Sequence, residues 1–318
     1  MSATQREEVV VLGAGVVGLT TAIVLQEKGD YRVTVIADTL PGDERSSKYT
    51  SNWAVSLIIL TLGNFNADYW IKGAHHVTLS GKDARLQKID RETFEYMWKL
   101  SEPGKGDAEG CFLRLKQEEL YEEGFGNEAP LDYYPNWQEI SSSTLQPGIV
   151  KGVEFETLTI DVPIYLPYLA ARFLSKGGTI CRGTIQHIDQ ILEGGPRSGE
   201  VVVGGVKEVD DWYPLPRQET KIDILRRGLA LCPELTPPEV RQAREPTVED
   251  LLPLVIEDSV GLRPCRKDGL RLESQRIQTK DGRAVPLVFN YGHAGHGYIS
   301  SWGCAFSVAE MLAEEFKN

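Results

Sequence analysis

Six residues near the N-terminus constrain this chain more than anything else in it. Gly13-Ala14-Gly15-Val16-Val17-Gly18 follows the apolar run Val9-Val10-Val11-Leu12. It opens a helical segment, residues 16–28, in which Leu19, Ala22, Ile23 and Gln26 set one face and Gly29 marks the stop. Residues 32–38 read as a second strand. Strand, turn, helix and strand at this spacing make one βαβ unit, and the unbroken apolar run predicts a buried parallel strand. Each glycine then has a task. Gly13 makes the tight turn, Gly15 lets the backbone approach a pyrophosphate, and Gly18 lets the helix close on the strand. The phosphates meet the positive end of the helix dipole, and Asp38 is placed to bind a ribose hydroxyl. A plain tight turn is the alternative, and the surrounding strand and helix favour a dinucleotide site.

A chain of 318 residues is long for one compact unit, so one large or two interleaved domains are expected. The net charge of −12, with no stretch rich in Lys and Arg, argues against nucleic acid or an anionic membrane as partner. Cys111, Cys181, Cys232, Cys265 and Cys304 are scattered singly, which reads as reduced thiols in an intracellular protein. The first eight residues lack a signal-peptide pattern, and the apolar run 55–62 is far below the roughly 20 residues needed to span a bilayer. A soluble protein is expected. Further along, residues 164–176 and 220–232 read as helices, 200–205 as a strand, and 304–316 as a closing amphipathic helix.

A second glycine-rich segment, Asn290-Tyr291-Gly292-His293-Ala294-Gly295-His296-Gly297-Tyr298, runs through Ser300-Ser301-Trp302-Gly303 into that last helix. Glycines this dense before a helix offer a second surface of backbone N–H groups. Such a surface suits a flavin, whose N1–C2=O edge becomes anionic on reduction. The alternative is a glycine-rich connection. His75 and His76 invite a metal reading, but adjacent residues point apart and no carboxylate cluster accompanies them, so no metal site is expected. His187, Tyr133 and Tyr134 read as packing or surface residues.

Together with Gly261-Leu262-Arg263-Pro264 and Arg271-Leu272-Glu273, these two glycine segments resemble, in the same order, the D-amino-acid oxidase family, closest to its fungal branch. The resemblance implies an α/β (α+β mixed) fold: a Rossmann-type FAD-binding domain interleaved with an antiparallel-sheet substrate domain. FAD binding would fall to residues 1–75, 150–195 and 258–318, and substrate binding to 76–149 and 196–257. The implied FAD contacts are Gly13, Ala14, Gly15, Val16, Val17, Gly18, Asp38, Ser51, Trp53, Gly292, Gly295, Gly297, Tyr298 and Ile299. Arg271 is the implied clamp on the substrate carboxylate, and the Gly295 carbonyl the acceptor from its amine. For Arg271 the alternative is a surface ion pair with Glu273 or Asp268. Arg263 is expected to anchor structure near the flavin. The implied reaction takes a D-amino acid and dioxygen to a 2-oxo acid, ammonia and hydrogen peroxide. D-aspartate oxidase and a catalytically inactive flavin-binding remnant are the alternatives. The family admits a homodimer and a peroxisomal location, although Phe316-Lys317-Asn318 is not a Ser-Lys-Leu-type ending, which leaves the cytoplasm open.

The chain departs from the family in three places. Residues 55–72 interrupt what is elsewhere a continuous Trp-Ala-Gly-Ala, here Trp53-Ala54 and Gly73-Ala74. After Gly195 a stretch is missing that in the family holds an apolar strand against the flavin and a tyrosine on the substrate carboxylate. Ile299 stands where relatives carry a hydrogen-bonding side chain. The first two departures read as a retained intron and its mirror error, coding sequence removed as intron; a genuine inserted loop packing over the active site is the alternative for residues 55–72.

Overall fold

The computed structural model describes residues 6–43, 49, 51, 73–78, 80–124, 129–182, 211, 213, 215–231, 235–255, 264–278 and 284–317. The expected strand at 200–205, the inserted residues 55–72, and Trp53, His187, Cys232 and Arg263 lie outside them. The chain divides into two compact units. One comprises Met1–Glu44, Ala74–Gly194 and Arg263–Asn318, the other Arg45–Gly73 and Gly195–Leu262.

The first unit opens with β1 (Glu7–Leu12), α1 (Val16–Lys28) and β2 (Tyr31–Ala37). β1 and β2 are parallel, with Val9 opposite Val33 and Leu12 opposite Ile36. β7 (Thr179–Arg182) adds on the far side of β2, again parallel. α1 ends where the glycine demands: Gly29 is left-handed at φ 83°, and its N–H donates to the Gln26 carbonyl at 3.2 Å. Gln26 itself is buried and satisfied twice, through the Val33 N–H and the Lys176 carbonyl, each at 3.0 Å.

β1 is parallel as expected but not buried. Val10 is 56% and Leu12 63% exposed. Among the described residues β1 pairs with β2 alone, so it is an edge strand with one face open. An apolar run predicts cover on both faces only when neighbours supply it.

A second sheet follows, made of β3 (Gly73–His75), β4 (Phe112–Glu122), β5 (Gln138–Glu139) and β6 (Ile149–Asp161), in which β4 and β5 run antiparallel to β6. β6 lies between β3 and β4 and also pairs with β5. α2 (Ala84–Leu100) is capped by Asp83, whose carboxylate accepts the Arg85 and Leu86 N–H groups at 2.9 and 3.1 Å. α3 (Val162–Ser175) covers the expected helix near 164. The hairpin of β8 (Arg271–Gln278) and β9 (Ala284–Tyr291) leads into α7 (Gly297–Glu315).

α7 begins at Gly297, seven residues before the expected start. Glycines there suggested a loop, but tertiary packing requires them inside the helix. A Cβ on Gly303 would overlap the Ile89 backbone where α2 crosses α7. The crossing lies within one compact unit, in which residues 76–149 fall together with β1, α1 and β2. Thr93 of α2 accepts the Gly303 N–H of α7 at 2.9 Å, and Ile89, Phe94 and Met97 are buried on the same helix.

The second unit, among the described residues, holds α4 (Gln218–Leu231), α5 (Pro238–Ala243) and α6 (Val248–Leu251). α4 matches the expected helix near 220. α6 opens with a capping box between Thr247 and Asp250. Cys111, Cys181, Cys265 and Cys304 are free thiols, the first and last of them buried. Among the described residues no helix is long and apolar enough to cross a membrane.

Candidate functional site

The first glycine turn is anchored to the sheet, because the Gly13 N–H donates to the Ile36 carbonyl at 2.9 Å. Gly13 has φ 97°, which a side chain would resist. Gly15 is the N-cap of α1 and brings no side chain to cap the helix. A Cβ on Gly18 would overlap the Gly13 carbonyl oxygen, so helix and turn meet only because position 18 is glycine. Ala14 and Val16 are buried, and Val17 is half-buried. Asp38 is exposed just past β2.

Sequence reasoning missed a brace beside it. Arg182, at the end of β7, forks onto the Asp43 carboxylate at 2.6 and 2.8 Å and donates to the Asp38 carbonyl at 3.0 Å. The Arg182 hydrogen bond also holds the Asp43 carboxyl below its ordinary range. No local signal could have found a partner so distant along the chain.

The second glycine segment is braced from inside. His293 bonds Ser300 Oγ at 3.0 Å and Asn290 Oδ1 at 3.1 Å, and burial lowers its pKa to about 4. Gly292, at φ 88°, lies where a Cβ would come within 2.9 Å of the Gly269 carbonyl oxygen. Gly295 is exposed, and Tyr298 and Ile299 are buried in the first turn of α7.

The structure brings the two glycine segments together. A Cβ on Gly297 would lie 3.6 Å from Val16 and 3.8 Å from Val17. Thr20 of α1 donates to the Ser301 carbonyl at 3.2 Å, and Asn290 donates to Thr21 at 3.2 Å. The N-termini of α1 and α7 therefore form one surface. Ser51 is half-buried in the other unit, and Trp53 lies outside the described residues.

Arg271 starts β8 directly opposite Tyr291, one residue before Gly292. Its Nε donates to Glu273 at 2.7 Å and its Nη1 to the Tyr291 hydroxyl at 3.1 Å. The guanidinium stacks 3.5 Å from the Phe289 ring centroid. Of the two ion pairs weighed from sequence, the one with Glu273 forms, while Asp268 pairs with Arg266.

Tyr134, read from sequence as packing or surface, is buried beside Phe94 and Phe155 and is also polar glue. Its hydroxyl lies 3.0 Å from His76 Nδ1 and accepts the Thr78 N–H at 3.1 Å. Thr78 in turn donates to Asp90 at 2.7 Å. Burial pushes the Asp90 carboxyl up to about 7. A carboxyl that keeps its proton longer when folded makes stability fall as pH rises from about 4 towards 7, because the unfolded chain releases that proton first. Asp90→Asn retains an acceptor for Thr78 and cannot titrate. Urea unfolding between pH 4 and 8 should show a shallower decline in that variant. Equal slopes would mean that Asp90 is ionised in the fold.

A glycine turn on a βαβ helix, met by a second glycine-rich turn on a packed helix, defines a dinucleotide-binding protein of the flavoprotein type. The chain belongs to the FAD-dependent oxidoreductase family, whose model matches residues 8–197. It is 29% identical over 407 aligned positions to a D-aspartate oxidase from Cryptococcus neoformans, covering 98% of each chain. It is 26% identical over 373 positions to a D-amino-acid oxidase from Schizosaccharomyces pombe, covering 98% of this chain and 97% of that one. Among solved structures, glycine oxidase from Bacillus cereus shares the fold at a TM-score of 0.58 and 13% identity, covering 98% of this chain and 96% of that one.

Proposed function

We propose that this chain is built for FAD-dependent oxidation of D-amino acids to 2-oxo acids, with ammonia and hydrogen peroxide as the other products. The observation that carries the reading is the meeting of Gly13–Gly18 with Gly292–Ile299 at the paired N-termini of α1 and α7. Gly15 caps α1 without a side chain, which leaves the approach of a pyrophosphate to the helix N-terminus free of side-chain atoms, and Asp38 is exposed where a ribose hydroxyl would reach it. A bound flavin would supply the hydride acceptor for the substrate α-carbon and the route of electrons to dioxygen. The chain's own residues bind and orient.

Arg271 presents its guanidinium beside the second glycine turn. Nε and one N–H of Nη1 are engaged by Glu273 and Tyr291, which leaves the second N–H of Nη1 and both of Nη2 as the fork that meets a substrate carboxylate. Stacking on Phe289 fixes the plane of the fork. The Gly295 carbonyl, in an exposed turn, accepts from the substrate amine. The substrate reacts as the neutral amine, whose lone pair assists departure of the α-hydrogen as hydride, so no general base is required. Substrate binding by 76–149 and 196–257, dioxygen as second substrate, a homodimer and a peroxisomal location belong to the same reading.

Arg271→Ala should raise the apparent KM for D-alanine by about 10- to 100-fold, the worth of a charged hydrogen bond, and leave bound flavin unchanged. Arg271→Lys should fall between, since it keeps charge and loses the fork. A KM unchanged in Arg271→Ala would reject the clamp. Oxidation of D-aspartate is the second reading, favoured by the 29% identical relative. Comparing D-alanine with D-aspartate separates the two. A bound flavin band that neither substrate bleaches under anaerobic conditions would instead mark an inactive remnant.

A further inference from the structure

His76 follows β3 and is fully buried, with its ring packed against Phe94 and Tyr134. Each ring nitrogen has a hydrogen-bond partner. Nδ1 lies 3.0 Å from the Tyr134 hydroxyl, and Nε2 lies 3.2 Å from the Ile299 carbonyl oxygen. A carbonyl oxygen can only accept, so Nε2 must carry a hydrogen. Burial, reinforced by His75, lowers the His76 pKa to about 3, so the ring is neutral and Nδ1 is an acceptor. The Tyr134 hydroxyl must therefore donate to Nδ1, while its oxygen takes the Thr78 N–H at 3.1 Å. Every donor and acceptor in this chain of bonds then has one consistent direction.

The relay ends on the first turn of α7. His76 holds that turn at the Ile299 carbonyl, and Thr93 of α2 holds it at the Gly303 N–H. Ile299 has no polar side-chain atom. Any hydrogen bond between position 299 and a cofactor must therefore come from the backbone, and backbone placement is what the histidine controls.

We propose that His76 is a positioning residue for the cofactor-facing turn of α7, its Nε2–H fixing the Ile299 carbonyl and the Tyr134 hydroxyl fixing its tautomer. This rests on the reading of residues 297–299 as FAD contacts.

Nitrogen-15 NMR of the histidine rings, with FAD affinity measured by quenching of flavin fluorescence, tests it. In the wild-type chain, His76 should be the Nε2–H tautomer and should not titrate between about pH 5 and 8, where an ordinary histidine does. Tyr134→Phe removes the proton that fills Nδ1, and the tautomer signature should be lost. FAD affinity should then fall about tenfold, the scale of one buried hydrogen bond. His76→Gln, which can still donate to Ile299, should bind FAD more tightly than His76→Ala. Met97→Ala, a cavity in the buried face of α2, should lower the unfolding midpoint and leave FAD affinity within about twofold. An Nδ1–H tautomer in the wild type, or a destabilised Tyr134→Phe variant with unchanged FAD affinity, would overturn the proposal. A wild-type chain that takes up no FAD defeats the cofactor reading first, and the positioning role falls with it.

Discussion

Gly18→Ala should abolish FAD retention. The added methyl group would overlap the Gly13 carbonyl oxygen, and that oxygen cannot step aside. The Gly13 N–H ties the turn to Ile36 at 2.9 Å, so the strain must be relieved by moving α1 away from β1. Such a shift displaces the N-terminus of α1 from the pyrophosphate, and misplacement of this kind removes most of the binding energy. FAD affinity should fall by at least about 100-fold, with about 1–3 kcal/mol lost from stability as in other overpacked sites. Gly15→Val separates binding from folding. Gly15 has φ −73°, which any residue tolerates, so valine there fills the approach to the phosphates with little backbone strain. Gly29→Ala serves as control: its φ of 83° costs stability, but no atom lies within 4 Å of the new methyl group. Flavin stoichiometry in the purified variants decides the matter. Full flavin content in Gly15→Val would refute the site.

Sequencing the mature transcript should join the codon of Ala54 to that of Gly73 and reveal additional codons after Gly195. Removing residues 55–72 restores Trp-Ala-Gly-Ala without a seam, and the eighteen codons keep the reading frame. Val55-Ser56 is compatible with codons beginning GT and then AG, as introns begin. Leu57, Ile58, Ile59, Leu60, Phe65, Tyr69 and Trp70 would also make an unusually apolar surface loop. The alignment with the Cryptococcus enzyme also extends over 407 positions, so it opens gaps in a chain of 318 residues. A protein made from the corrected message should bind FAD and bleach it with neutral D-amino acids. A mature message that retains codons 55–72 would show a genuine inserted loop and defeat the intron reading.

What the sequence determined by itself is local. The βαβ unit, the tasks of Gly13 and Gly18, the stop at Gly29 and the helices near 164 and 220 were all legible, because each depends on residues within a few turns of one another. The second glycine segment was legible as a dense glycine run leading into the last helix, but its place beside the first was not. Only packing sets Gly297 against Val16 and Thr20 against Ser301, across separations no periodicity encodes. The same limit explains the misplaced start of α7: glycine disfavours helix locally, yet Gly303 lies in one because α2 comes too close for any side chain. It explains β1 as well, since an apolar run records what a strand can bury and its neighbours decide what it does bury. His76 shows the difference most fully. Beside His75 it suggested a weak metal reading. Its actual partners, Tyr134 and Ile299, lie 58 and 223 residues away, and only the closed fold gives each ring nitrogen its task.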